Sequence, residues 1–229
     1  MARLLLLKRA PPLLHSSLAG AMLALQKSKP ALSVLQIGAF DGETYDPINS
    51  FLTEFQPFAV LLEPVPASFA NLERVYAGYR SIMTVNAALA DTTGTASMFC
   101  VDASFESSIS LPALSSFRRE VIESHEHDVP GISNAIREIT VPTICASDLW
   151  NLFGEGKPDV LVIDTEGFDY QVMRLLGVPA IMPSIIYFEH RHLTHIEFRE
   201  AMNVLTNADY RLILDSQDAL AVSGGGSFP

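Results

Sequence analysis

Two carboxylates follow one of the most apolar segments of the chain and could carry acid–base chemistry. Asp164 and Glu166 come directly after the apolar run 160–163, separated from each other by a threonine. A carboxylate at the end of a buried strand can act as a general base, bind a cationic ligand, or share a metal ion with a neighbour. A third ligand at a fixed spacing does not accompany the pair, so we predict no metal site. Capping of the following helix is the structural alternative for Asp164.

A second polar group ends the next apolar run along the chain. Glu189 and His190 follow residues 185–188, and His192 lies two positions further on. An imidazole titrates near neutral pH, so His190 or His192 could accept the proton of a hydroxyl group. Because parallel strands end at one edge of a sheet, we expect this group to face the same edge as the first pair. The candidate catalytic residues are therefore Asp164, Glu166, Glu189 and His190.

A glycine loop follows the first apolar run, residues 34–37. Gly38 and Gly42 lack a Cβ, which lets the backbone approach a ligand closely. Glu63 ends the second apolar run about 20 residues further on, where a carboxylate can accept both hydroxyls of a ribose. A nicotinamide-dinucleotide fingerprint would require glycine at the position of Phe40, so the loop disfavours that ligand.

Continuous apolar runs separated by helical periodicity supply the elements that must position these residues. Such runs are typical of parallel strands covered by helices on both faces, and with their polar ends they predict strands at 34–37, 59–62, 82–85, 159–164 and 184–190. Two later strands, 210–214 and 218–222, are joined by a turn and predict an antiparallel hairpin on the sheet edge. The predicted fold class is α/β, with a doubly wound, seven-stranded and mostly parallel sheet.

Two segments lie outside this regular pattern. Residues 1–30 form an N-terminal helical segment, because leucine and methionine recur there at helical spacing. Residues 102–138 are rich in serine and charge, and long connections of this kind are commonly functional, so we predict a lid-like insertion that covers the site. Residues 95–101 before it could add a strand near a sheet edge. His125 and His127 within it are predicted to be solvated.

The chain as a whole is acidic and apolar. Its 229 residues suit a single domain, 1–229, and 48% of them are hydrophobic against 18% charged, which indicates a packed core. A net charge of −11 without clusters of Lys and Arg argues against nucleic-acid binding. The leucine run near the N-terminus is shorter than a signal peptide or a membrane span requires. We therefore expect a cytoplasmic protein without stable membrane insertion.

Short motifs in a fixed order give the chain a resemblance to a known family. They are the glycine loop, Glu63 followed by Pro64, the segment 86–91 with Gly94, the pair Ser107–Ser108, the segment 160–167, and the strand 185–189 with its terminal glutamate. Over residues 32–222 the chain resembles the FkbM family of S-adenosylmethionine-dependent methyltransferases, which have a Rossmann-like fold. The order and spacing of these segments carry the resemblance.

The resemblance implies a cofactor, S-adenosylmethionine, and a place for each part of it. It implies Gly38, Ala39, Phe40 and Gly42 at the methionine part, Glu63 with Pro64 at the ribose, and Asn86, Ala87 and Ala88 near the adenine. It also implies an acceptor above the acidic strand ends and beneath the insertion. Family members are associated with O-methylation of sugars and secondary metabolites, so the implied partner is a small-molecule or saccharide hydroxyl.

One departure from the family pattern leaves alternatives open. The first strand of family members usually carries an acidic residue where this chain has Gln36, and this change removes a charge attraction to the donor's amino group. Gln36 can still accept that hydrogen bond, so it stays among the predicted cofactor-binding residues. A degenerate methyltransferase fold that serves as a binding protein, and an NAD-dependent oxidoreductase, are the competing functions. The sequence identifies neither the acceptor nor the oligomeric state, and a homo-oligomer is one of the alternatives.

Overall fold

The computed structural model describes residues 12–102, 104–105, 114–154 and 156–224. Three sequence features lie outside these residues: the pair Ser107–Ser108, the leucine run near the N-terminus, and the glycine-rich tail after residue 224.

Helices and strands alternate through most of the described chain. The strands are β1 (Ser33–Ile37), β2 (Phe58–Leu62), β3 (Ile82–Val85), β4 (Ala88–Leu89), β5 (Gly94–Val101), β6 (Ser115–Ser116), β7 (Ile136–Ile144), β8 (Val160–Ile163), β9 (Ile185–Glu189), β10 (Tyr210–Leu214) and β11 (Asp218–Ser223). The helices are α1 (Pro12–Ser28), α2 (Asn49–Phe55), α3 (Pro66–Tyr76), α4 (Arg119–Glu123), α5 (Ile132–Ala135), α6 (Ala146–Phe153), α7 (Asp169–Leu176) and α8 (His195–Asn207).

The main sheet has seven strands in the order β10-β11-β9-β8-β1-β2-β3. Neighbouring strands are parallel except for β11, which runs antiparallel to both β9 and β10. The predicted doubly wound sheet with an antiparallel edge hairpin is therefore confirmed. The strand order reverses between β1 and β8, and ligands of open α/β sheets bind at such a switch point.

The register of the parallel strands brings their polar ends to one level. Ile37 at the end of β1 pairs with Leu62 of β2 on one side and with Ile163 of β8 on the other. Ile163 in turn pairs with Phe188 of β9. The residues that follow these positions, which include the predicted site residues, therefore emerge side by side at a single edge.

Helices cover both faces of the main sheet, and alternate residues of each strand point to opposite faces. Val34 packs with α1, α2 and α3 on one face, and Leu35 packs with α6, α7 and α8 on the other. Both side chains are fully buried. Two covered faces explain why the strands read as continuous apolar runs. Among the helices in the ranges above, none combines the length and hydrophobicity that crossing a bilayer requires.

A second sheet of four strands, in the order β4-β7-β5-β6, corrects one prediction. The strand predicted at 95–101 forms β5, yet it pairs antiparallel with β7 and does not join the main sheet. The predicted insertion 102–138 contributes to this second sheet through β6 and the start of β7. Its described part is thus built into a sheet, and its action as a lid stays a prediction.

Candidate functional site

The glycine loop is pressed against the end of β8. A Cβ placed on Gly38 would lie 1.8 Å from the carbonyl oxygen of Asp164, and the backbone there has a φ of +85°. Only glycine tolerates both the close approach and this conformation. Gly38 therefore allows the ends of β1 and β8 to pack closely, so a ligand can contact both strands.

Glu63 holds the loop in place from the end of β2. Its side chain is buried, and Oε2 accepts a hydrogen bond of 2.9 Å from the backbone N–H of Phe40. Oε1 accepts another, of 2.8 Å, from the N–H of Val65. Each carboxylate oxygen can accept a further hydrogen bond, so the predicted ribose contact is chemically compatible with this bracing role.

Two clefts open at this edge, one on each side of the loop. The first has a volume of about 560 Å³ and is lined by residues that include Glu63, Pro64, Ala87, Ala88, Leu89, Met98, Ser115, Phe117, Glu166 and Phe168. The second has a volume of about 700 Å³ and is lined by residues that include Gln36, Ala39, Thr44, Asp46, Tyr187, Glu189, Gln217 and Asp218. Gly38, Phe40 and Asp164 line both.

Two predicted cofactor-binding residues are outside the described linings of both clefts. A Cβ on Gly42 would lie 2.8 Å from both Leu72 and Tyr76, so this glycine permits the loop to pack on α3. The Nδ2 of Asn86 donates to the backbone oxygens of Glu63 and Pro64, at 2.8 and 3.1 Å. Both residues support the backbone that forms the walls of the clefts.

Three buried side chains converge between the two clefts. Glu166, Glu189 and His192 each offer one oxygen or nitrogen atom, and these atoms all lie within 4.8 Å of one another. The Nε2 of His192 is 3.5 Å from Oε2 of Glu166, and these two side chains are 9% and 4% exposed. We call these three residues the Glu–Glu–His cluster.

Of the two histidines considered as proton acceptors, His192 belongs to this cluster, and His190, the one chosen as a candidate catalytic residue, does not. The ring Nε2 of His190 lies 3.1 Å from the backbone oxygen of Asp215, and the ring packs on Phe198 with centroids 5.0 Å apart. His190 is outside the described linings of both clefts, and His192 meets the carboxylates instead. His192 lies beyond the strand end, so only the turn geometry reveals its position.

The prediction that both histidines of the insertion are solvated is wrong for one of them. His127 is exposed, whereas His125 is 2% exposed and its ring centroid is 5.2 Å from that of His192. The apolar residues around it explain this burial, because α4 packs its own Val121 and Ile122 inward. His125 therefore lies directly behind the Glu–Glu–His cluster.

Sequence reasoning also missed Asp46 in the second cleft. Its Oδ2 accepts a hydrogen bond of 3.4 Å from Nε2 of Gln36, and its Oδ1 accepts one of 2.8 Å from the N–H of Ile48. Removal of the carboxylate from water raises the pKa of Asp46 to about 7, and the nearby charge of Asp41 adds to this effect. The carboxylate of Asp46 thus lies beside Gln36, which occupies the position where the family pattern has an acidic residue.

Comparison with known proteins identifies the family of this chain. Residues 36–212 match the Methyltransferase FkbM domain. No curated protein sequence matches the chain.

Solved structures share the fold at low sequence identity. The FkbM methyltransferase from Methylobacillus flagellatus has a TM-score of 0.50 and 12% identity, over 84% of this chain and 43% of that one. This chain thus spans less than half of that protein. SAH-bound PaMTH1 from Podospora anserina has a TM-score of 0.47 and 9% identity, over 94% of this chain and 80% of that one. The FkbM domain match extends over more than half of the residues of the present chain, which therefore belongs to the FkbM methyltransferase family.

Proposed function

We propose that this chain transfers the methyl group of S-adenosylmethionine to a hydroxyl oxygen of a sugar or a secondary metabolite. Family membership supports the methyltransferase activity and the donor, and it sets aside the NAD-dependent oxidoreductase. The observation that carries the hydroxyl acceptor is the position of Asp164, an exposed carboxylate at the end of β8 that lines both clefts. A carboxylate where the two clefts meet lies at the level of the donor's sulfur, between its adenosine and methionine parts, and can accept the proton of a hydroxyl group that is placed there.

The first cleft fits the adenosine part of the donor. Glu63 offers carboxylate oxygens to the ribose hydroxyls, and Phe117 and Phe168, with ring centroids 5.0 Å apart, provide aromatic surface for the adenine. When bound, S-adenosylmethionine supplies a methyl group that is activated by the positive charge on sulfur.

The second cleft fits the methionine part, and we assign the donor's ammonium group to Asp46. Gln36 carries no charge, but it holds the Asp46 carboxylate through its side-chain amide. An ammonium group bound to a carboxylate forms a charge-assisted hydrogen bond, which is about twice as strong as a neutral one. Asp46 can therefore provide the charge attraction that Gln36 cannot.

Asp164 is assigned the proton that leaves the acceptor hydroxyl. A positioned general base contributes about 10²–10⁴-fold to the rate of such a step. Ser115 and Phe117 belong to the predicted insertion and line the first cleft, so this segment can exclude water from the reacting groups.

The test is the variant Asp164→Asn, assayed for turnover against a panel of hydroxylated sugars and secondary metabolites. We expect kcat to fall about 10²-fold or more while the Kd of S-adenosylmethionine changes little. Glu73→Gln, an exposed carboxylate on α3, is the matched control and should behave as the unaltered protein. An unchanged kcat in Asp164→Asn would overturn the assigned role. Donor binding without turnover on any acceptor would support the binding-protein alternative.

A further inference from the structure

We propose that the Glu–Glu–His cluster is a binding site for one divalent cation. Its two carboxylate oxygens and one imidazole nitrogen lie within 4.8 Å of one another, and Glu166, Glu189 and His192 are all largely buried. Carboxylate and imidazole are the two commonest protein ligands of divalent ions of the first transition series. The sequence predicted no metal site because the ligands come from two strand ends, Glu166 from the end of β8 and Glu189 with His192 from the end of β9.

The backbone brings the three ligands together from different parts of the chain. Glu166 has a φ of +51°, and Gly167 after it has a φ of +90°. A Cβ on Gly167 would lie 3.1 Å from the backbone oxygen of His192 and 3.2 Å from its Cβ, so glycine lets this turn pack against the His192 segment. The hydroxyl of Ser116 donates to the backbone oxygen of Glu166 at 2.7 Å and fixes the turn from the other side. Ligands held by such supports need little rearrangement to close on an ion.

The charges of the cluster favour a dication. Two carboxylate groups that are close and buried repel each other, and a bound dication offsets this repulsion. A divalent ion bound to the two carboxylates and a neutral imidazole brings the total charge of the group to zero. Three protein ligands leave coordination positions for water or an acceptor oxygen.

The donor set also distinguishes Mn²⁺ from Mg²⁺. Mg²⁺ and Ca²⁺ prefer oxygen ligands, whereas Mn²⁺ accepts both carboxylate and imidazole. We therefore expect Mn²⁺ to bind more tightly than Mg²⁺. Mn²⁺ also offers a paramagnetic signal, which makes it a suitable probe.

The position of the cluster gives the ion a role. Glu166 lines the first cleft and Glu189 lines the second, so the ion would lie where the clefts meet, near Asp164. A bound cation there would lower the pKa of an acceptor hydroxyl and help a carboxylate to take its proton. This role rests on the proposed methyl transfer, whereas binding of the ion does not.

The first experiment measures Mn²⁺ binding to chelator-treated protein by electron paramagnetic resonance, without donor or acceptor. We expect one ion per chain, with Kd raised about tenfold or more in Glu189→Gln and in His192→Gln. Glu138→Gln and His127→Gln remove an exposed carboxylate and an exposed imidazole, and should leave Kd unchanged. The absence of stoichiometric binding, or equal binding by all four variants, would overturn the proposal.

A second measurement needs no variant and therefore does not depend on how the variants fold. Mn²⁺ should broaden the ring proton signals of His192 and of His125, whose ring is 5.2 Å away, at ion concentrations that leave His127 sharp. Equal broadening of all histidines would show nonspecific binding and overturn the site. Donor binding measured by calorimetry on the same metal-free protein keeps the two proposals apart. Donor binding with turnover but without a specific ion contradicts the cation site alone, and ion binding without turnover contradicts only the methyl transfer.

Discussion

Replacing Asp46 by asparagine should weaken binding of S-adenosylmethionine and remove most of its dependence on pH. Only the ionised carboxylate attracts the ammonium group, and the pKa of Asp46 in the free protein is raised to about 7. The ionised fraction is then about 90% at pH 8 and about 10% at pH 6. Since the apparent Kd scales inversely with the competent fraction, we expect it to rise about tenfold between pH 8 and pH 6 in the unaltered protein.

The loss of donor affinity that Asp46→Asn should cause at pH 8 follows from the strength of the contact between the Asp46 carboxylate and the ammonium group. A hydrogen bond to a charged group contributes about 1.5–3 kcal/mol, which corresponds to an increase in Kd of about 10- to 150-fold for Asp46→Asn. The double variant Gln36→Glu with Asp46→Asn exchanges the amide and the carboxylate groups across their 3.4 Å contact. It should recover part of the lost affinity, because the negative charge returns to the same cleft.

Isothermal calorimetry with two ligands distinguishes ammonium recognition from damage to the loop. Methylthioadenosine contains the adenosine and sulfur parts of the donor but lacks the amino-acid tail, so Asp46→Asn should leave its Kd unchanged. Equal weakening of both ligands would refute the assignment. Persistence of the tenfold pH effect in Asp46→Asn would also refute it, and would assign the effect to the other carboxylates of the cleft, Asp164, Glu189 and Asp218.

Three further predictions test the framework of the site. Glu63→Ala should weaken S-adenosylmethionine and methylthioadenosine alike, in contrast to Asp46→Asn, because it removes the ribose partner and the support of the loop; calorimetry measures both. Gly38→Ala should lower the free energy of unfolding by about 2 kcal/mol or more, since its Cβ overlaps the β8 end, whereas Gly94→Ala, whose Cβ would meet no described atom within 4 Å, should change it little in urea titrations. The Arg118 guanidinium lowers the pKa of Glu197 to about 2, so this pair contributes stability that is present above about pH 5 and lost as the pH falls towards 2. Arg118→Met should remove about 1 kcal/mol of stability at neutral pH and reduce the loss of stability between pH 5 and pH 2, as measured by thermal unfolding over pH 2 to 7. An unchanged pH dependence would contradict the ion pair.

The main sheet was predictable because burial on two faces leaves a strong signal in sequence. The predicted run 34–37 agrees with β1 to within a residue, and all four of its residues are buried. The run 82–85 coincides with the edge strand β3, in which only Ile82 is buried. The strand predicted at 95–101 forms β5, but its mixture of exposed and buried residues did not indicate which sheet it joins. Its partner β7 begins more than 30 residues later, beyond a serine-rich and charged segment, and local pattern cannot connect strands across that distance.

The site was predictable to the extent that it consists of strand ends. Gly38, Glu63 and Asp164 each follow an apolar run directly, and parallel strands carry such residues to one edge. Asp46 and His192 lie in turns, where no periodicity indicates the direction of a side chain. The approach of His192 to Glu166 depends on a left-handed turn at Glu166 and Gly167, which becomes evident only when both segments are packed together.

The residues of the family motifs are therefore of two kinds, those that line a cleft and those that support the backbone around it. Gly38 does both, since it lines both clefts and allows β1 and β8 to meet. Gly42 and Asn86 act on the protein itself, through α3 and through the backbone after β2. A substitution at Gly42 should consequently weaken the binding of both S-adenosylmethionine and methylthioadenosine by displacing the loop, as we expect for Glu63→Ala. Ligand selectivity between the two should reside in Asp46, because it is the residue we assign to the amino-acid tail.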